Sequence, residues 1–185
     1  GLLGFILVFL YSFIYYKALG LVTVASLLVA AGITYLSFLL LGEWLGFTLT
    51  LAGIAGAIVA VGITADSFIV YFERLRDEVR EGRSIRSAAE TGWVKARHTI
   101  LVADMVSLIA AALLYFFAVG GVRGFAFTLG LTTLIDLLVV FVFTHPLVSL
   151  ITKMKFFANG HKLSGFSQKS LGMKIKTDVT ENLKG

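Results

Sequence analysis

The 185-residue chain is 58% hydrophobic and 15% charged, with a mean hydropathy of +0.92. A soluble domain is nearer to about 45–50% apolar and about 25% charged, so a soluble enzyme domain is excluded. Sixteen phenylalanines, a single proline and apolar runs of helical length argue equally against a transmembrane barrel, the lack of cysteine removes disulfides and thiolate chemistry, and three scattered histidines offer no metal-ligand spacing.

The chain opens at Gly1 without methionine and is apolar from Leu2, with no basic lead-in and no cleavage site before the next apolar block. It therefore reads as a piece of a longer membrane protein. Uncharged runs then predict five spans, at about 1–16, 18–42, 47–72, 99–120 and 124–151, because roughly 20 helical residues cross a hydrocarbon core. The first falls short of that length, and Tyr11, Tyr15 and Tyr16 beside Lys17 suit its interfacial end. The expected fold class is all-α, a polytopic membrane helix bundle over residues 1–152 followed by a basic tail over 153–185.

Basic residues set the orientation. Seven lie between Arg74 and Arg97 and seven between Lys153 and Lys184, with Lys17 in the first connection and Arg123 alone on the opposite side. Lys and Arg near span ends mark the cytoplasmic face, so the connection 73–98 and the C-terminal tail are expected inside. The net charge of +5 is then topological. It forms no folded basic face that could read a nucleic acid, and no nucleic-acid partner is expected.

Within the third connection, Phe72 to Glu81 has no helix breaker, and charges at i,i+4 spacing support a helical extension of the third span that reads mainly as a solvated cap. Ser84 reads as an N-cap opening a short interfacial helix that ends near Gly92 and is anchored by Trp93.

Any chemistry must lie in three intramembrane carboxylates. Asp66, seven residues before Glu73, sits about 10 Å inside the boundary of its span and is expected to be proton-linked, since an ionised aspartate at mid-helix costs about 2.5–3.5 kcal/mol and marks a partner or a water path. Asp104, seven residues after Arg97 on an antiparallel span, comes to a similar depth and could share one polar layer with Asp66. For Asp104 a proton-linked role and a structural one, with Ser107 nearby, both stand. Asp136 reads as structural, with the Thr132 and Thr133 hydroxyls four and three residues before it. Small residues upstream of Asp66, with Gly53, Gly56 and Gly62 among them, predict close helix packing. No metal or cofactor is expected.

The run Gly53-Ile54-Ala55-Gly56, then Thr64-Ala65-Asp66-Ser67, then Phe72-Glu73-Arg74-Leu75-Arg76-Asp77-Glu78 resembles the central signature of the SecD family of bacterial protein export. Gly92-Trp93-Val94-Lys95-Ala96 and Val122-Arg123-Gly124-Phe125-Ala126 are similar to later pieces of the same family. The related SecF family usually shows Asp where Glu73 stands, and Ala65 before the acid is similar to the actinobacterial form. The resemblance implies a half-transporter of the resistance-nodulation-division type, in which these spans are the second to sixth of six. It implies a non-enzymatic subunit of the bacterial plasma membrane that uses the proton motive force to promote export of secreted polypeptides, with Asp66 at the family's proton-linked aspartate. Glu73, Arg74 and Arg76 fall in its cytoplasmic motif. The implied partners are SecF, the SecYEG translocon, the translocating preprotein and membrane lipid. An exporter of lipids or small molecules, or a non-transporting structural subunit, are the alternatives.

Overall fold

The computed structural model describes residues 2–16, 18–45 and 48–153. In chain order the elements are α1 (Leu2–Tyr16), α2 (Ala18–Leu45), α3 (Leu51–Arg80), α4 (Ile85–Phe117), α5 (Gly121–Val139), a π-helical turn (Val140–Thr144) and α6 (His145–Thr152). Among the described residues there is no strand. Among the described residues four rods, α2, α3, α4 and the continuous run from Gly121 to Thr152, are long and apolar enough to cross a membrane, while α1, at about 22 Å, is shorter. The all-α bundle agrees with the sequence reading, and four of the five expected spans are helices of crossing length. Lys17 and the tail from residue 154 lie outside the described residues.

Local chemistry explains where the helices start and stop. The Thr50 hydroxyl accepts the Gly53 amide at 3.1 Å and caps α3. The helix then runs past its apolar segment into the charged connection, as expected, and stops where Gly82 takes a positive φ of 93°. Ser84 caps α4 by accepting the Ser87 amide at 3.3 Å. The separate interfacial helix is not found: α4 is one helix of 33 residues. Gly92 does not end it, because a Cβ there would stand 2.9 Å from the Leu75 Cα and N. That glycine permits a close crossing of α3 and α4 instead of a stop.

The last rod widens in the middle. Pro146 has no amide to return to Val142 and its ring crowds that carbonyl, and the His145 amide reaches back five residues to Val140. The Thr144 hydroxyl donates to Ser26 Oγ at 2.9 Å and so ties the widened turn to α2.

Helices α3, α4 and α5 pack on one another as a three-helix core, α1 pairs with α2, and α2 lies along α3 and α5. The largest apolar cluster, with Tyr16, Phe68, Tyr71, Phe72, Leu75, Trp93 and Ile100, fills the end of the bundle nearest the charged connection. His145 stacks on Trp93 there at 4.4 Å between ring centroids, and Tyr71 meets the same indole edge-on at 5.4 Å.

Candidate functional site

Three close contacts fix how α3, α4 and α5 are aligned. A Cβ on Gly56 would lie 2.7 Å from the Phe125 carbonyl and 3.4 Å from the Leu129 amide, one on Gly92 would meet Leu75, and one on Gly130 would meet the Ala111 methyl at 3.4 Å. From these anchors Thr64 on α3, Asp104 on α4 and Asp136 on α5 fall at one level. Two turns of α3 separate Gly56 from Thr64 and two turns of α5 separate Leu129 from Asp136. Likewise two turns of α4 run from Asp104 to Ala111, opposite the two turns of α5 from Gly130 to Asp136. Asp104 and the Thr64 side chain both stand close to the Asp136 carboxyl.

Burial at this level is complete. Asp104 is 0% and Asp136 2% exposed, and among the described residues none is a hydrogen-bond partner for any of the four carboxylate oxygens. The hydroxyls around them do not supply one. Thr64 donates to the Ala60 carbonyl, Thr132 to the carbonyls of Thr128 and Leu129, and Thr133 to that of Leu129. The expectation that Thr132 and Thr133 would satisfy Asp136 is therefore corrected, and so is that of Ser107 for Asp104, because the Ser107 hydroxyl donates to the Ala103 carbonyl. Helical hydroxyls find the carbonyl one turn back before they find a neighbouring side chain. Sequence spacing gives reach but not this competition.

Asp66 lies on the other side of α3. Two residues from Thr64, it points roughly 200° away around the helix, and it is exposed while Thr64 is buried. The expectation that Asp66 shares a polar layer with Asp104 is corrected: the layer of Asp104 is completed by Asp136 and Thr64. Asp66 continues an exposed stripe with Ala55, Val59 and Gly62. The three predicted packing glycines divide in the same way. Gly53 and Gly56 are buried against α5, where their Cβ positions would meet Thr128 and Phe125, whereas Gly62 is exposed with open space around it.

At the charged end most of the charges are exposed or half-exposed, as a solvated cap requires, but Arg76 and Glu78 are buried. Arg76 is buried, with its guanidinium 5.6 Å over the Tyr16 ring and 3.6 Å from Glu73, and Glu73 accepts the Tyr16 hydroxyl at 3.4 Å. Glu78, 1% exposed, binds Arg83 at 2.7 Å and Lys95 of α4. Arg74 alone of the three motif residues is exposed. Glu90 on α4 receives the Ser149 hydroxyl at 3.0 Å and stands 3.7 Å from His145. The signature ending thus fastens α1, α3 and α4 together. Its i,i+4 charge pattern hid this, because a buried and a solvated ion pair have the same spacing. Among the described residues no group of three or more His, Asp or Glu is placed to hold a metal ion.

Comparison with known proteins fits this arrangement. The family model described as the MMPL family matches residues 2–176. The chain belongs to the MMPL family. It is 59% identical over 174 residues to the protein translocase subunit SecD of Streptomyces coelicolor, covering 94% of this chain and 30% of that protein. It is 53% identical to SecD of Mycobacterium tuberculosis over 158 residues, 85% of this chain and 28% of that protein. The likeness to actinobacterial SecD therefore holds across nearly the whole chain, which spans about 30% of the length of these relatives. Among solved structures it is similar to SecDF, a translocon-associated membrane protein from Thermus thermophilus, with a TM-score of 0.74, 36% identity, and coverage of 81% of this chain and 20% of that one. SecDF in its super-membrane-facing form gives a TM-score of 0.73 at 36% identity, covering 82% and 20%. As in these relatives, the MMPL chain described here is a multi-pass membrane helix bundle.

Proposed function

We propose that this chain is the membrane-spanning part of a SecD-type subunit that uses the proton motive force to drive export of secreted polypeptides, with Asp66 as its proton-linked acid. The observation that carries the reading is the exposure of Asp66 on the outside of a helix that crosses the membrane. A charge there costs about 2.5–3.5 kcal/mol unless something covers it. Beside it, Gly62 has nothing within 4 Å of its Cβ position, which leaves room for a second helix to approach closely. The second half of the transporter, a SecF-type subunit, covers this stripe and lines Asp66 with polar groups and water. Asp66 then loads and releases protons at the seam between the halves. Moving one charge through 100 mV is worth about 2.3 kcal/mol, so a few protons suffice for a conformational stroke.

In this reading the connection 73–98 and the basic tail 153–185 face the cytoplasm of a bacterium, and the remainder of the subunit works outside the membrane on a preprotein emerging from SecYEG. The subunit itself catalyses no covalent step. The test is preprotein translocation into inverted membrane vesicles carrying the complete complex. Asp66→Asn should abolish the stimulation given by a proton gradient while leaving complex assembly intact. Full stimulation in that variant would overturn the proposal.

A further inference from the structure

The role proposed for Asp66 leaves two buried acids unused. Asp104 and Asp136 lie inside this half, on the opposite side of α3, with no oxygen partnered among the described residues. Two features of their surroundings narrow what they can bind. The first is that the neighbouring hydroxyls are spent as donors. Thr64 gives its proton to the Ala60 carbonyl and Thr132 and Thr133 give theirs to α5, so towards the acids they present lone pairs. Among the described residues no Lys, Arg or His forms an ion pair with either acid. A layer of acceptors without a donor calls for an added proton, because two facing carboxylates deep in a low-dielectric core do not both stay ionised. A bound metal ion would need several more oxygens. The carbonyls that supply them in transporter ion sites come from unwound helices, and α3, α4 and α5 are unbroken at this level.

The second feature is access. A cavity of about 260 Å³ opens between α2, α3 and α5; its walls are mostly apolar, with Leu27, Phe38 and Val61 among them, and its polar groups are Thr34, Tyr35, Thr64 and Thr132. The four hydroxyls supply the polar partners that waters in an otherwise apolar cavity need. Thr64 borders both this cavity and the Asp136 carboxyl. Tyr35 is the titratable side chain that α2 brings to the cavity. α3 contributes Thr64, with Asp66 turned away, and α4 and α5 contribute Asp104 and Asp136 themselves.

We propose that Asp104 and Asp136 form a second proton-binding site, independent of Asp66, loaded from water in the α2–α3–α5 cavity with Thr64 as the last group before the acids. For loading, the Thr64 hydroxyl turns from the Ala60 carbonyl, takes a proton from a hydronium in the cavity and hands its own to the pair, which goes from two negative charges to one; a water is left. The protonated carboxyl then donates to the free lone pair of Thr64 or to the other acid. Because α3 carries Thr64 on one side and Asp66 on the other, loading of the inner site and of the outer one both bear on the position of the same helix.

The experiment is infrared spectroscopy of the complete subunit, reconstituted with its partner half in liposomes and titrated with pH in an Asp66→Asn background so that Asp66 contributes nothing. A protonated-carboxyl stretch should persist to neutral pH, disappear when Asp104→Asn and Asp136→Asn are added together, and ignore replacement of choline by sodium. In the same background Thr64→Val should slow its hydrogen–deuterium exchange at least tenfold. A spectrum with no such stretch beyond that of the triple variant would overturn the site, and a stretch that falls as sodium rises would make it a metal-ion site instead. Exchange unchanged by Thr64→Val would overturn the route. Should the triple variant fail to reach the membrane, the Thr64→Val exchange alone decides, since that substitution keeps both acids. Failure of Asp66 to support export would leave these signals untouched, so the two proposals stand or fall separately.

Discussion

Two regions of the bundle bury carboxylates and treat them in opposite ways. At the charged end Glu78 is 1% exposed and clamped by Arg83 and Lys95. In the middle Asp104 and Asp136 are buried about as deeply and have no hydrogen-bond partner among the described residues. A paired buried charge holds helices in place, whereas an unpaired one stores a demand that a mobile ion can meet. The contrast separates the part of the fold that fixes the helices from the part that responds to protons.

The sharpest break in that comparison comes from stripping Glu78 of its cations. Arg83→Met with Lys95→Met leaves a buried carboxylate uncompensated, and we expect a loss of about 3–5 kcal/mol, read as a fall in thermal stability in detergent and in membrane accumulation. Next come the tight crossings. Gly56→Ala and Gly92→Ala drive a Cβ into backbone at 2.7 and 2.9 Å and should each cost about 1–3 kcal/mol by the same measurement. Gly62→Ala, with open space around it, should leave the isolated subunit as stable or slightly more so, yet weaken its copurification with the partner half. Thr50→Ala removes a cap and should cost about 1 kcal/mol. Smallest of all, Asp136→Asn replaces an acid that carries the shared proton with an amide of the same shape, and should change stability near neutral pH by less than about 1 kcal/mol. A large loss there, comparable to that of the Glu78 clamp, would mean that the acid is a structural ion after all.

Much of this could be read from the residues in order. Run length placed the spans, and the absence of a breaker before Gly82 carried α3 beyond its apolar segment, because both are local properties of the chain. Gly92 shows where local reading ends: a glycine that looks like a helix stop is a packing notch, and the difference lies in Leu75, seventeen residues away. The acid site fails for the same reason. Depth along each helix was legible for Asp66, Asp104 and Asp136, but rotation about the helix was not, since α3 is apolar on nearly every side and has no polar face to orient it. Which acid faces inward depends on where Gly53, Gly56 and Gly92 let the neighbours approach. The π-helical turn before Pro146 and the burial of Glu78 likewise depend on partners on other helices.

The division of α3 into an inward and an outward face is the central claim, and cysteine cross-linking tests it most directly. The 185 residues contain no cysteine, so single cysteines can be placed at Gly62, which is exposed, and at Ala60, which is 4% exposed, in the complete subunit assembled with its partner half. We predict that Gly62→Cys cross-links to the partner half in membranes and that Ala60→Cys does not. Cross-links from Ala60→Cys, or from Gly62→Cys only to a second copy of the same subunit, would contradict the account.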